Sequence, residues 1–228
     1  MSVIENYNRI LDEIHEIASS CGRNREDISL IAVSKTFDES VVQSAIDAGI
    51  RLFGENKVQE AKAKIPKLNG DFLFHMIGHL QSNKARDAVR MFDMIHSIDS
   101  IGTAAKVDSE AAAAGKKQKV LIQVNASGEE SKSGIPPAAA IELARQITGL
   151  QNLDLRGLMT MAPFTDEGNV IRSTFRKARE TLERINGELN LGLNELSMGM
   201  SSDFRIAVEE GTTLVRIGTA IFGHRTVE

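Results

Sequence analysis

The sequence predicts an α/β fold, a single TIM (β/α)8 barrel with an extra N-terminal helix, and three observations predict it. Short apolar runs alternate with longer stretches of helical periodicity along the chain. Eight such runs occur, at 29–34, 50–54, 72–77, 94–98, 119–125, 153–159, 194–198 and 213–217, and eight strands close a parallel barrel. The residues just after these runs form a set that is glycine-rich, polar and short of carboxylates. In a barrel those positions share one face. At 228 residues the chain suits one such barrel, and no Pro/Ser-rich linker breaks it, so residues 1–228 are read as one domain. An open doubly wound sheet fits the same periodicity and is the runner-up.

The leading helix is marked by Val3, Ile4, Tyr7, Ile10, Leu11, Ile14 and Ile17 at helical spacing. The first strand follows, in Ser29-Leu30-Ile31-Ala32-Val33-Ser34-Lys35-Thr36, and its end puts the Lys35 amine at the barrel mouth. Thr36 and Glu39 have the Thr-x-x-Glu spacing of a capping box, which would open the next helix at once. Helical stretches between strands fall at about 38–48, 56–66, 83–91, 100–114, 136–149, 167–190 and 203–209. Gly49 and Gly115 stand just past helix ends, and Pro136 and Pro137 stand at a helix start.

Composition narrows the function classes. Apolar residues at 42% and charged residues at 25% are ordinary for a globular chain with a sizeable core. A net charge of −4 gives no electrostatic reason to expect nucleic acid or an anionic membrane as partner. The lone Cys21 excludes an intramolecular disulfide and fits a reducing compartment. Residues 1–6 lack the basic and apolar regions of a signal peptide, and no run of about 18 apolar residues occurs. A soluble, cytoplasmic protein is expected.

Lys35 at a strand mouth is expected to be partly desolvated, which would lower its pKa and let its free amine attack an aldehyde or ketone. The alternative is a lysine that simply reaches solvent. Ser201 and Ser202 precede a helix start, where free amides favour an anion, and Gly218-Thr219 follow the final strand. Loops after the last two strands commonly cradle phosphate in this fold; the alternative is that the serines cap the helix at 203–209. Arg216 lies in an otherwise apolar strand and has to be paired or bound, by a ligand or by a strand-face carboxylate. Asn56 could bond a ligand hydroxyl, position Lys35, or cap the following helix. His75 and His79 read as packed or surface residues. Met159, Met161, Met198 and Met200 read as packing at the mouth, with side chains that could also cover a flat ring. No metal-ligand spacing is found. A lysine beside a phosphate cradle narrows the ligand to a phosphorylated carbonyl compound. The candidates are pyridoxal 5′-phosphate (PLP) or the sugar phosphate of a lysine-dependent aldolase, and an arginine facing a ring nitrogen suits the former.

Six segments carry a resemblance. They are residues 31–36 (IAVSKT), 53–60 (FGENKVQE), 75–84 (HMIGHLQSNK), 157–161 (GLMTM), 196–204 (LSMGMSSDF) and 215–223 (VRIGTAIFG). In this order they resemble the pyridoxal phosphate homeostasis proteins (the YggS/PROSC family). The resemblance implies a barrel like the N-terminal domain of alanine racemase, with PLP held as an internal aldimine on Lys35. It implies that Arg216 faces the pyridine nitrogen, that Ser201, Ser202, Gly218 and Thr219 hold the phosphate, and that Asn56 lies by the cofactor; Met200, as a side chain able to cover a flat ring, is read as cofactor-binding beside them.

A racemase of that type needs a second proton-transfer group, a tyrosine from a further C-terminal domain. The chain stops about five residues after Gly223, so that domain is expected to be absent, and the only tyrosine, Tyr7, reads as packing. A permanently protonated arginine also leaves the ring a weak electron sink. The expectation is therefore a non-catalytic, monomeric carrier acting in intracellular PLP homeostasis and delivery to apoenzymes, with no catalytic residue assigned. The alternatives are a PLP-dependent amino-acid racemase or lyase, with His79 or water as second acid, and an aldolase.

Overall fold

The computed structural model describes residues 2–129 and 132–223, and its eight strands form a closed barrel in chain order. They are β1 (Ser29–Val33), β2 (Leu52–Glu55), β3 (Leu73–Met76), β4 (Met94–Ile98), β5 (Gln118–Gln123), β6 (Leu153–Met159), β7 (Glu195–Ser197) and β8 (Leu214–Ile217). Every expected run becomes a strand, and the barrel, not the open sheet, is the architecture. Closure is made by β1 against β8, parallel, from Ser29↔Leu214 to Ala32↔Ile217.

The strands read as near-continuous apolar runs because both of their faces are buried. One face fills the barrel with Ile31, Val33, Met94, Leu121, Met159 and Leu214. The other packs under the helices, where Phe53, Phe74, Ile95 and Phe175 lie in the larger core.

The helices are α1 (Val3–Ser20), α2 (Glu39–Asp47), α3 (Val58–Lys64), α4 (Ala85–Met91), α5 (Ile101–Ala113), α6 (Pro137–Thr148), α7 (Gly168–Leu189), α8 (Phe204–Glu209) and α9 (Thr219–Phe222). Those from α2 to α8 each lie within the expected stretch. Gly49 and Gly115 take positive φ just past helix ends, and Pro136 and Pro137 open α6. The four-residue α9 has no counterpart in the sequence reading, being too short to show a helical period. It packs with α8 against α1, where the Asn6 amide donates to the Ile221 carbonyl at 3.1 Å.

The expected Thr36–Glu39 capping box does not form. Thr36 has φ +73°, Asp38 is the N-cap of α2, and Glu39 instead accepts from Lys67 at 2.7 Å. The chain instead uses Thr36 to turn out of the barrel mouth, and the helix begins only after Asp38. A capping box forms elsewhere, at the start of α1, between Ser2 and Glu5. Among the described residues no helix is long and apolar enough to cross a membrane.

Candidate functional site

A cavity of about 670 Å3 opens at the C-terminal mouth of the barrel, and residues following β1, β2, β3, β7 and β8 line it. All eight residues expected there are among its walls: Lys35, Asn56, Met200, Ser201, Ser202, Arg216, Gly218 and Thr219. Their convergence follows from chain order in a parallel barrel, which delivers every strand end to the same rim.

Lys35 stands two residues beyond the last ladder residue of β1, and its side chain is exposed. The alternative expectation, a lysine that reaches solvent, describes this exposure, and the residue still lines the cavity wall.

Asn56 lies in the turn after β2. It does not cap α3, whose N-cap is Lys57. Its backbone packs on Gly78 after β3, where an added Cβ would come within 2.2 Å of the Asn56 carbonyl oxygen. That close approach brings the two loops together on one wall of the cavity.

Ser201 and Ser202 lie in the turn between β7 and α8. Neither caps α8, because Asp203 occupies the N-cap. The Asp203 carboxylate folds back to accept from the Met200 amide at 2.5 Å, which closes the loop and leaves both serines on the cavity wall. Burial pushes the Asp203 carboxyl up, while the Met200 amide and the Arg216 charge pull the other way. Gly218 is the N-cap of α9, and its carbonyl accepts from the Ile221 and Phe222 amides, so only the Thr219 and Ala220 amides head the helix without a partner within it.

Arg216 is 4% exposed, and no carboxylate among the described residues pairs with it. The expected alternative, a structural ion pair, is not what holds it. Its Nη1 donates to the Ser197 hydroxyl at 2.6 Å and its Nη2 to the Thr160 carbonyl at 3.0 Å. Burial lowers its pKa to about 10, against the opposing pull of Asp203, so it keeps its charge at neutral pH.

Behind Arg216 a buried polar chain crosses the barrel. Ser197 Oγ lies 2.9 Å from His96 Nδ1, and His96 Nε2 lies 3.0 Å from His75 Nδ1. Arginine has no acceptor, so Ser197 accepts from it and turns its own hydrogen to His96 Nδ1. His96 then carries its proton on Nε2 and donates to His75. Both imidazoles are held neutral by burial: His75 falls to about 4, and His96 lies well below its ordinary value.

Other expectations place differently. His75 is in the barrel core, as a packed residue; His79 lines the cavity, with Asp99 3.5 Å from its Nδ1. Met161 and Met200 reach the wall, whereas Met159 and Met198 are buried packing. Two strand-end residues that no expectation named, Glu55 and Asn125, are not on the wall: Glu55 accepts from Lys64, and Asn125 bonds within its own loop. Tyr7 lies at the other end of the barrel, its hydroxyl 3.5 Å from the Leu30 carbonyl. The sequence reading missed Gln123, Ser133 and Phe164 on the wall, and His96 behind Arg216. His96 shares the inward parity of Met94 within β4, and that was the available signal.

The arrangement defines a class: a (β/α)8 barrel whose mouth joins an amine, a buried guanidinium and an anion-suited loop pair. The family model of the alanine racemase N-terminal domain matches residues 6–226. The pyridoxal phosphate homeostasis protein of Aquifex aeolicus is 38% identical over 226 residues, covering 99% of each chain. That of Escherichia coli is 42% identical over 230 residues, covering 98% of this chain and 97% of the relative. Among solved structures, PipY of Synechococcus elongatus with PLP bound superposes at TM-score 0.81 and 40% identity, over 92% of this chain and all (100%) of that one. An alanine racemase of Clostridium difficile shares the fold at TM-score 0.77 and 16% identity, with 58% of its length matched. The chain belongs to the pyridoxal phosphate homeostasis protein family.

Proposed function

We propose that this chain binds PLP at the barrel mouth through Lys35 and serves as a holder and donor of the cofactor inside the cell, not as an enzyme. The observation that carries the reading is the single cavity wall shared by Lys35, a charged and buried Arg216, and the paired loops of Ser201, Ser202, Gly218 and Thr219. The donor set fits the group. Two hydroxyls and the amides heading α9 suit a phosphate dianion, the guanidinium suits a pyridine nitrogen as acceptor, and a primary amine suits an aldehyde. When bound, PLP supplies a reactive aldehyde and an electron-accepting ring.

The chain's own residues then do four things. Ser201, Ser202 and the Gly218–Thr219 turn orient the phosphate. Lys35 joins the aldehyde carbon through its nitrogen, with the carbonyl oxygen leaving as water. Arg216, locked by Ser197 and Thr160, presents a proton it does not release, which keeps the ring nitrogen an acceptor. Asn56 and Met200 bound the ring. An open mouth with an exposed lysine favours reversible capture and release, and the reading extends to handover to PLP-dependent apoenzymes by a monomer.

The test is a borohydride-reduction experiment on purified protein with added PLP. The parent should yield a pyridoxyl adduct on Lys35, and Lys35→Ala should lose both the adduct and the imine absorbance. Retention of that absorbance in Lys35→Ala would overturn the assignment. A catalytic reading has one observation in its favour, His79 on the same cavity wall with Asp99 3.5 Å from its Nδ1. It predicts solvent deuterium entering Cα of an amino acid faster than with free PLP.

A further inference from the structure

Lys35 and Thr36 form a turn between β1 and α2, and a turn alone does not fix where a long side chain enters a cavity. Helix α3 grips this turn from both sides. Upstream, the Lys64 ammonium donates to the Ser34 carbonyl at 2.8 Å and to Glu55 Oε1 at 2.7 Å. The Ser34 hydroxyl donates to the same carboxylate oxygen at 2.7 Å. The peptide group entering Lys35 is thus held at its oxygen. Downstream, the Thr36 amide donates to Glu60 Oε2 at 3.1 Å, which holds the peptide group leaving Lys35. Glu60 and Lys64 are one helical turn apart and share a face of α3.

Two features say that this grip does more than join a helix to a sheet. Thr36 has φ +73°, a conformation that a β-branched residue resists, so contacts outside the turn have to maintain it. Lys64 and Glu55 are 6% and 0% exposed, and Glu55 Oε2 has no partner in the structure. Burial pushes the Glu55 carboxyl up despite the Lys64 charge. An apolar pair of similar size would fill this space without that desolvation. What the ion pair adds is an ammonium aimed at the Ser34 carbonyl.

We infer that Glu60 and Lys64 are positioning residues that set how Lys35 enters the cavity, with Glu55 neutralising Lys64. The inference deepens the PLP reading above and rests on it for the chemistry at Lys35.

The experiment compares the parent with Glu60→Ala, Glu60→Gln, Thr36→Gly and the double variant Glu60→Ala/Thr36→Gly. Two quantities are read: amide hydrogen exchange at Thr36 without PLP, and the rate of imine absorbance on adding PLP. Glu60→Ala should speed exchange at Thr36 and slow imine formation about tenfold, the effect of losing one hydrogen bond to a charged group. Glu60→Gln keeps an acceptor oxygen and should restore both. Thr36→Gly should rescue the rate in the Glu60→Ala background, since glycine takes positive φ without steric opposition.

Equal rates in the parent and Glu60→Ala would overturn the inference, as would a slow Glu60→Ala that Thr36→Gly does not rescue. A parent that forms no imine at all sinks the PLP reading instead, and the Thr36 exchange comparison still decides the grip. For the other arm, Glu55→Gln/Lys64→Met removes both charges together, so neither is left buried alone, and should slow the rate as Glu60→Ala does. An unchanged rate there removes Lys64 from the assignment.

Discussion

Arg216 sets the strictest condition at the residue scale, because a guanidinium can only donate. That one fact orders every proton behind it, from Ser197 through His96 to His75. Ser197→Ala would leave Arg216 Nη1 and His96 Nδ1 without partners in a buried site. The expected loss is about 3 kcal/mol of folding stability, as two desolvated groups go unsatisfied. PLP affinity should also weaken, since the arginine is no longer held on two sides. Denaturant unfolding and a PLP titration check both, and a variant as stable as the parent would refute the chain. Lys35, Ser201, Ser202 and Arg216 were legible in the sequence because each stands at or just past a run that reads as a strand. The His96–Ser197 contact was not, since it joins residues 101 apart and exists only once β4 and β7 face each other across a closed barrel. The exposure of Lys35 was equally hidden, because the openness of a mouth depends on how all the loops around it turn.

At the scale of elements, the helices from α1 to α8 were legible, and the four-residue α9 was not, being too short to repeat an apolar face. The site depends on the short ones. Helix α8 is six residues long and follows the Ser201–Ser202 turn, so its own propensity cannot hold it in place. Glu210 at its C-terminal end does so: the carboxylate, 4% exposed, accepts from Arg172 at 3.1 Å and Arg176 at 3.0 Å, with Arg179 at 3.5 Å, all on α7. Burial alone would push this carboxyl up, but the arginine hydrogen bonds and charges bring it below its ordinary value. Glu210→Gln should lose about 2 kcal/mol, the worth of hydrogen bonds to a charged acceptor, with an unchanged denaturant slope. No shift in the midpoint would mean that the partly exposed arginines are solvated as well without it. The Thr36–Glu39 box shows the converse limit. A capping motif can be read from four residues, but whether the chain enters the helix at that point depends on the direction in which it leaves the strand. Here Thr36 is turned by Glu60 in another helix, 24 residues away.

Across the whole molecule, a barrel that seals two imidazoles in its interior acquires a pH-dependent stability. The unfolded chain has ordinary histidines, near 6.5, whereas folded His75 titrates at about 4 and His96 well below its ordinary value. Burial is the main cause for both. The charges facing them are Lys119 at His75, and His75 and Arg216 at His96. Between pH 6.5 and 4 the unfolded chain binds protons that the folded one refuses, so stability rises with pH across this window. The contribution is fully present above about 6.5 and is lost as pH falls through the folded value. For His75 alone the span corresponds to roughly 3 kcal/mol. Glu55 and Asp203 work in the opposite sense, because burial raises their carboxyls and ionising them as pH increases costs stability. A bare pH curve therefore mixes the two, and a variant is needed to separate them. His75→Gln keeps an acceptor for His96 Nε2–H but cannot take up a proton. Its unfolding midpoint should fall less steeply than that of the parent between pH 6.5 and 4.5, with the two curves closest at the acid end. Parallel curves would show that the imidazoles take up protons without unfolding the barrel, and the neutral chain behind Arg216 would have to be abandoned.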